Sequence, residues 1–189
     1  MLVGSTLGLI AGYFGGLVDE VITRFVDIWL SLPFILIAMV AAIVLGTSTN
    51  VVMGVLALLA WSVFVRNVRA EVLSLKTRDY VALARVAGAS TSRIILLHLL
   101  PGVVNTIVVI ATLRVGQLII AEATLSYLGA GIPSPTPAWG LMVSEGRDYL
   151  STAWWTSLFP GAAIFILVMA MNFIGDWFRD RMDPRLRQL

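Results

Sequence analysis

Cysteine is absent from this chain, and histidine occurs once, at His98. Disulfide frameworks and thiolate metal centres are therefore excluded, and one imidazole alone builds no histidine metal site. Charge is equally scarce: 13% of the 189 residues are charged, against about 25% in soluble domains. The gaps matter more than the total. No charged residue stands between Asp27 and Arg66, and none between Asp148 and Asp176. Apolar stretches of about 18 residues or more are candidates for helices that cross a bilayer. The composition thus predicts an all-α polytopic membrane protein. A net charge of +2, with arginines gathered at the ends of the apolar runs, favours a lipid surface over nucleic acid as the neighbour.

Enzyme signatures are missing as well. There is no G-x-x-x-x-G-K-[ST], so the chain is not expected to bind ATP. The apolar runs hold neither paired aspartates nor a Ser/His pair for intramembrane proteolysis. Gly88-Ala89-Ser90 lacks the lysine and preceding strand of a phosphate-binding corner. No cofactor or metal is expected on this chain.

Turn residues divide the apolar sequence into five expected spans, about 2–18, 28–45, 51–66, 102–122 and 155–175. Gly4, Gly8, Gly12 and Gly16 give the first span a ladder of small residues that lets another helix approach closely. Asp19, Glu20, Arg24 and Asp27 mark a polar connection, with Glu20 and Arg24 one helical turn apart. Gly46-Thr47-Ser48-Thr49-Asn50 separates the second span from the third. Pro33 falls near the start of the second span and Pro160 near that of the fifth, where Trp154 and Trp155 suit a membrane interface.

Orientation follows from lysine and arginine. Arg66, Arg69, Lys76, Arg78, Arg85 and Arg93 crowd one connection, and Arg179, Arg181, Arg185 and Arg187 the tail, whereas the 46–50 turn has none. The 67–101 segment and the C-terminus are therefore expected in the cytoplasm, and the 123–154 connection outside. Five spans then place residue 1 outside, which predicts a further helix upstream of this sequence.

Within the basic connection, DYVALARVAGASTSRIILLHLLP (79–101) is too polar to span a bilayer. Asp79 is a suitable N-cap for a short helix, Gly88 an exit from it, Ser90 a second N-cap, and Pro101 a first helical residue of the next span. Ala84 and Ala89 keep the corner thin. Such a corner fits either a partner's groove or an unpartnered surface hairpin. Further along, Arg114 lies mid-span, where a charge costs on the order of 3 kcal/mol and must face protein or water. It reads either as part of a polar stripe lining a path, with Glu122 two turns on, or as an anchor between helices. The Pro133/Pro135/Pro137 connection with Trp139 reads either as a receiving surface or as a plug resting on the bilayer.

The 79–101 segment resembles the EAA loop of ABC importer permeases, EAA-x3-G-x9-I-x-LP. Ala84 matches the last alanine, Gly88 the glycine and Leu100-Pro101 the terminal pair, while Ala82 replaces the glutamate, Leu83 the first alanine and His98 the isoleucine. Tyr80-Val81, Arg85, Gly88-Ala89-Ser90 and Arg93-Ile94-Ile95 are similar to the dipeptide/oligopeptide/nickel permease group. So are AGYFGGLVDEVITRFVDIWLSLP (11–33), AEATLSYLGAGIPSPTPAWGLM (121–142), EGRDYL (145–150), LFPGAAI (158–164) and MDPRLR (182–187). Glu122 fits the family pattern and Arg114 does not.

The resemblance implies a type I ABC importer transmembrane fold in a bacterial or archaeal cytoplasmic membrane, as the C-type permease of a heterodimeric pair. It implies a second permease, two ATPase domains carrying ATP and magnesium, and an external binding protein. Tyr80, Ala84, Arg85, Gly88, Ala89, Ser90, Arg93 and Pro101 would couple to the ATPase. Arg114 and Glu122 would lie on the translocation path, and Pro133, Pro135 and Trp139 would meet the binding protein. Peptides are the expected cargo, with nickel or glutathione as alternatives. An ion-coupled secondary transporter is the rival of another class.

Overall fold

The computed structural model describes residues 1–182, and the described residues contain helices and connections but no strand. The closing Asp183-Pro184-Arg185-Leu186-Arg187 of the expected family pattern, including two of the tail arginines, lies outside them. Helices α1 (Leu2–Phe14), α2 (Gly16–Ser31), α3 (Phe34–Leu45) and α4 (Thr49–Leu75) are followed by a short α5 (Asp79–Val86). A long α6 (Thr91–Tyr127), a short α7 (Trp139–Gly146) and α8 (Trp155–Met182) complete the order.

Three helices, α4, α6 and α8, are long and apolar enough to cross a membrane, and the bent pair α2/α3 makes a fourth if counted as one span. The segment expected as the first span is a 13-residue helix, shorter than the roughly 20 residues a crossing needs. It stops at Phe14 because Gly15 and Gly16 both take positive φ, 66° and 53°. Gly16 therefore opens α2 and does not extend the ladder. The expected 28–45 span is broken after Ser31, where Pro33 (φ −63°, ψ 117°) caps α3. Proline has no N–H to continue the α2 ladder and holds Leu32 out of helical geometry.

The third expected span, 51–66, runs on to Leu75, so the connection expected from residue 67 is helical for another two turns. An ion pair from Arg69 to α2, described below, anchors this charged extension.

The described residues group into two compact units. One comprises Met1–Ser31, Ala60–Ala111 and the segment from Trp177; the other comprises Leu32–Leu59 and Thr112–Asp176. In the first, Leu9, Val68, Val72, Val81, Ile94, Leu99 and Val103 form a buried cluster that ties α5 to α1, α4 and the start of α6. Three glycines set the α1–α4 spacing. A Cβ on Gly4 would stand 2.1 Å from the Trp61 carbonyl oxygen, one on Gly8 2.8 Å from that of Val65, and one on Gly12 2.7 Å from Val72 Cβ. The ladder is thus a packing face, as its spacing predicts.

In the second unit, Ala38, Val52, Val55, Leu56, Leu125 and Ala130 make the core. There α6 and α8 approach closely at Gly175, where a Cβ would stand 2.8 Å from Leu113 Cδ2.

Candidate functional site

The 79–101 element is built from backbone geometry. Helix α5 is capped by Arg78 in an extended conformation without a side-chain bond, so Asp79 is its first residue and not its N-cap. Its carboxylate still sits in the first turn, where it complements the helix dipole.

At the other end Gly88 has φ +80°. Its N–H donates to the Arg85 carbonyl at 3.1 Å, and the Ala89 N–H donates to the Ala84 carbonyl at 3.0 Å. These two bonds constitute a Schellman C-cap, which needs a left-handed residue at its corner. Ser90 then caps α6 as its spacing predicts, Oγ accepting from the Arg93 N–H at 3.4 Å.

The second half differs from expectation. Helix α6 does not stop before Pro101; it runs unbroken from Thr91 to Tyr127 over 37 residues. Proline is accommodated because Ile94–Leu99 form a π-helical turn, in which the Leu100 N–H donates to Ile95, five residues back. A widened turn of this kind makes room for a ring that clashes with the carbonyl four residues earlier. The corner therefore belongs to the same continuous helix as the apolar span.

The element presents a mixed surface. Val81 is fully buried against the cluster, and Ala84 and Ala89 are half-buried, which holds the corner close to the helices beneath it. Tyr80, Arg85, Gly88, Ser90, Arg93 and Pro101 are exposed. Leu83 (68% exposed) and Val86 (87%) add apolar side chains to that surface, and the expected site set omitted both.

Two ion pairs between α2 and α4 were also not expected as partners. Arg69 grips Asp19 with two donors, Nε to Oδ1 and Nη2 to Oδ2 at 2.6 Å, and Arg66 reaches Asp27 at 2.5 Å. Lys76 Nζ donates to the Gly12 carbonyl at 2.8 Å, closing the exposed end of α1. A cleft of about 280 Å³ lies beside these pairs, lined by Thr23, Val26, Asp27, Val65, Arg66 and Arg69. The sequence signal was the placement of Asp27 and Arg66 at the two ends of one uncharged run. The exposed Glu20–Arg24 pair, at 3.7 Å, is the one the sequence predicts directly.

Arg114 and Glu122 are not brought together. Arg114 donates to the Gln117 side-chain oxygen. Glu122 accepts from Ser126 Oγ at 2.6 Å, and the same hydroxyl accepts from the Ile132 N–H at 3.1 Å. Glu122 thus fixes the turn after α6, while Arg114 bonds one turn along its own helix.

The 128–154 connection is pinned to α6. A Cβ on Gly140 would stand 2.1 Å from the Ala123 carbonyl oxygen, and Ser144 Oγ donates to the Tyr127 carbonyl at 3.0 Å. Arg147, outside the spans, is held above the usual guanidinium pKa by its hydrogen bond to the Tyr127 hydroxyl and by Asp148. Pro133 is half-buried, Pro135 is exposed and follows a cis peptide bond, and Trp139 is 41% exposed at the start of α7. Among the described residues no cluster of three metal-ligating side chains occurs.

The family described as binding-protein-dependent transport system inner membrane component matches residues 4–188. The chain belongs to that family. A dipeptide transport system permease protein of Alkalihalophilus pseudofirmus is 40% identical over 187 residues, 99% of this chain and 62% of the relative. A glutathione transport system permease protein of Pectobacterium atrosepticum is equally similar, with the same coverage of both chains. The nickel transport system permease protein of Escherichia coli is 38% identical over 191 residues, 98% of this chain and 69% of the relative. The chain spans about 62% of the length of the first two of these relatives. Membership in this inner-membrane family bears out the resemblance read from the 79–101 segment and its flanking motifs, and with it the all-α membrane fold.

Proposed function

We propose that this chain is the membrane-spanning part of a permease subunit in an ATP-driven importer. It passes a peptide or a related small solute received from an external binding protein. The observation that carries this reading is the corner at Gly88. A Schellman cap, a Ser90 cap and an unbroken helix from Thr91 join an exposed, partly apolar tip to a membrane-crossing rod. Such a tip has the shape a groove on another protein would hold, and its stiffness suits the transfer of motion.

In this reading Tyr80, Ala84, Arg85, Gly88, Ala89, Ser90, Arg93 and Pro101 couple to cytoplasmic ATPase subunits, which hold the nucleotide and magnesium. A second, homologous permease completes the membrane portion. The 67–101 segment and the C-terminus face the cytoplasm. Pro133, Pro135 and Trp139 lie on the opposite side, where the binding protein docks, and Arg114 borders the path. The relatives' names support cargo of the dipeptide, glutathione or nickel kind. The chain itself performs no chemistry.

The test is Gly88→Leu in the complete transporter reconstituted in proteoliposomes. The expected result is loss of ATP-driven uptake and of uptake-linked hydrolysis, with helical content unchanged. Normal uptake and hydrolysis would sink the coupling role. Uptake without any ATPase subunit, abolished by an ionophore, would establish the ion-coupled alternative instead.

A further inference from the structure

Near the middle of the Leu100–Tyr127 stretch of α6, half-buried Arg114 sits beside exposed Gln117, one turn along the same face. Its recorded bond is to the Gln117 side-chain oxygen. Among the described residues no carboxylate stands within ion-pair range of it, and Glu122, the nearest acid along the helix, is engaged by Ser126.

The chemistry of the pair is one-sided. A guanidinium carries five N–H donors and no acceptor, and the side-chain oxygen of Gln117, the one acceptor group of the pair, already receives Arg114 on one of its two lone pairs. What remains is mostly donors: the other N–H groups of Arg114 and the amide N–H groups of Gln117, against one free lone pair on the Gln117 oxygen. A charge held at mid-span without a counter-charge is costly, which is why such residues face a protein partner or a water-filled path. A flat carboxylate, accepting two parallel hydrogen bonds, is the group that a guanidinium fork matches best.

We propose that Arg114 and Gln117 form a carboxylate-binding subsite that takes the anionic end of the solute moving past α6. This rests on the permease reading for the source of the carboxylate. A peptide terminus or a glutathione carboxyl fits the subsite, whereas a bare divalent cation is repelled by it. Arg114 therefore selects for cargo with a free acid, and it does so on this chain, in addition to any selection made by a binding protein.

The experiment uses Gln117→Cys in the complete membrane complex, exploiting the absence of cysteine from this sequence. Labelling of that position is followed by mass spectrometry of this chain, with the anionic sulfonatoethyl and the cationic trimethylammonioethyl methanethiosulfonates as probes. Relative to their rates with a free thiol in solution, the anionic reagent is expected to gain about tenfold over the cationic one, since one fixed charge in a low-dielectric site enriches counter-ions to that degree. Adding Arg114→Met removes or reverses the preference, and adding Arg114→Lys, which keeps the charge, retains it. Dialanine slows the labelling and its C-terminal amide does not, provided Arg114 is present.

A rate ratio at position 117 no different from that of a free thiol in solution overturns the proposal. So does an unreactive position 117 in the intact complex, which would mean that a neighbouring protein side chain fills the site. Labelling needs no nucleotide hydrolysis. Failure of ATP-driven uptake with the charge preference intact would therefore count against the permease reading, and the converse against the subsite.

Discussion

Asp19 and Arg69, fifty residues apart, face each other carboxylate to guanidinium with two donors on two acceptors. Both side chains are largely shielded, at 16% and 31% exposure. The neighbouring Asp27–Arg66 pair makes a single contact and is about half exposed on each side.

The two pairs should therefore respond differently to mutation. Asp19→Asn leaves a shielded guanidinium without its counter-charge, and a cost of about 1–3 kcal/mol is expected, because losing one partner of a hydrogen-bonded charge pair leaves the other desolvated and unpaired. Asp27→Asn is expected to cost under about 1 kcal/mol, as exposed pairs do. Thermal unfolding of each variant in detergent checks the order. A double-mutant cycle on Asp19 and Arg69 isolates their coupling; a coupling near zero would contradict the geometry.

The Gly88 corner makes a second, chemically specific expectation. No atom lies within 4 Å of a Cβ placed there, so steric contact inside the chain does not limit substitution; the φ of +80° does. Gly88→Ala is expected to cost about 1–2 kcal/mol for a left-handed residue with a side chain, and Gly88→Asn less, because asparagine tolerates that region. Amide exchange at Ala89, whose N–H closes the cap, should accelerate in the order Gly, Asn, Ala. An alanine variant that protects this amide as well as glycine does would refute the corner.

At Gly8 the limit is contact. A Cβ would stand 2.8 Å from the Val65 oxygen and 2.8 Å from Val68 Cβ, which no real methyl tolerates without movement. Gly8→Ala is expected to destabilise by about 1–3 kcal/mol, the usual cost of overpacking, whereas Gly54→Ala, with open space at its Cβ, should be neutral or slightly stabilising. Comparing melting temperatures of the two variants decides whether α1 is seated on α4 as described.

Ser126 joins Glu122 to the Ile132 amide through one hydroxyl and is 2% exposed. Ser126→Ala strips a partner from two partly buried groups, and a loss of about 1–2 kcal/mol is expected. Thr124→Ala is the control, since that hydroxyl bonds to the Ile120 carbonyl of its own helix on an exposed face. Faster amide exchange at 130–132 in the serine variant, and not in the threonine variant, is the signature. Equal behaviour of the two would remove Glu122 from its role in positioning the turn.

Much of the 79–101 element was legible in the sequence because caps are local. Ser90 binds an amide three residues on, and Gly88 closes bonds within five residues, so neighbours along the chain suffice to read them. The span boundaries were less legible where local rules compete. Pro33 broke a helix that hydrophobicity alone extends, while Pro101 did not break one, because a π turn absorbed it. The extension of α4 to Leu75 was hidden because its charged residues look like a loop until their partners on α2 are known.

The sequence by itself determined the membrane character, the absence of thiol chemistry and of an all-histidine metal site, the small-residue face of α1 and the glycine corner. Each follows from composition or from spacing within a few turns. Tertiary structure alone decided which charges pair between helices. Asp19 finds Arg69 and Asp27 finds Arg66. Two residues fifty positions apart meet only through the register of packed helices, which is fixed by the Gly4–Gly8–Gly12 contacts along the whole length of α1.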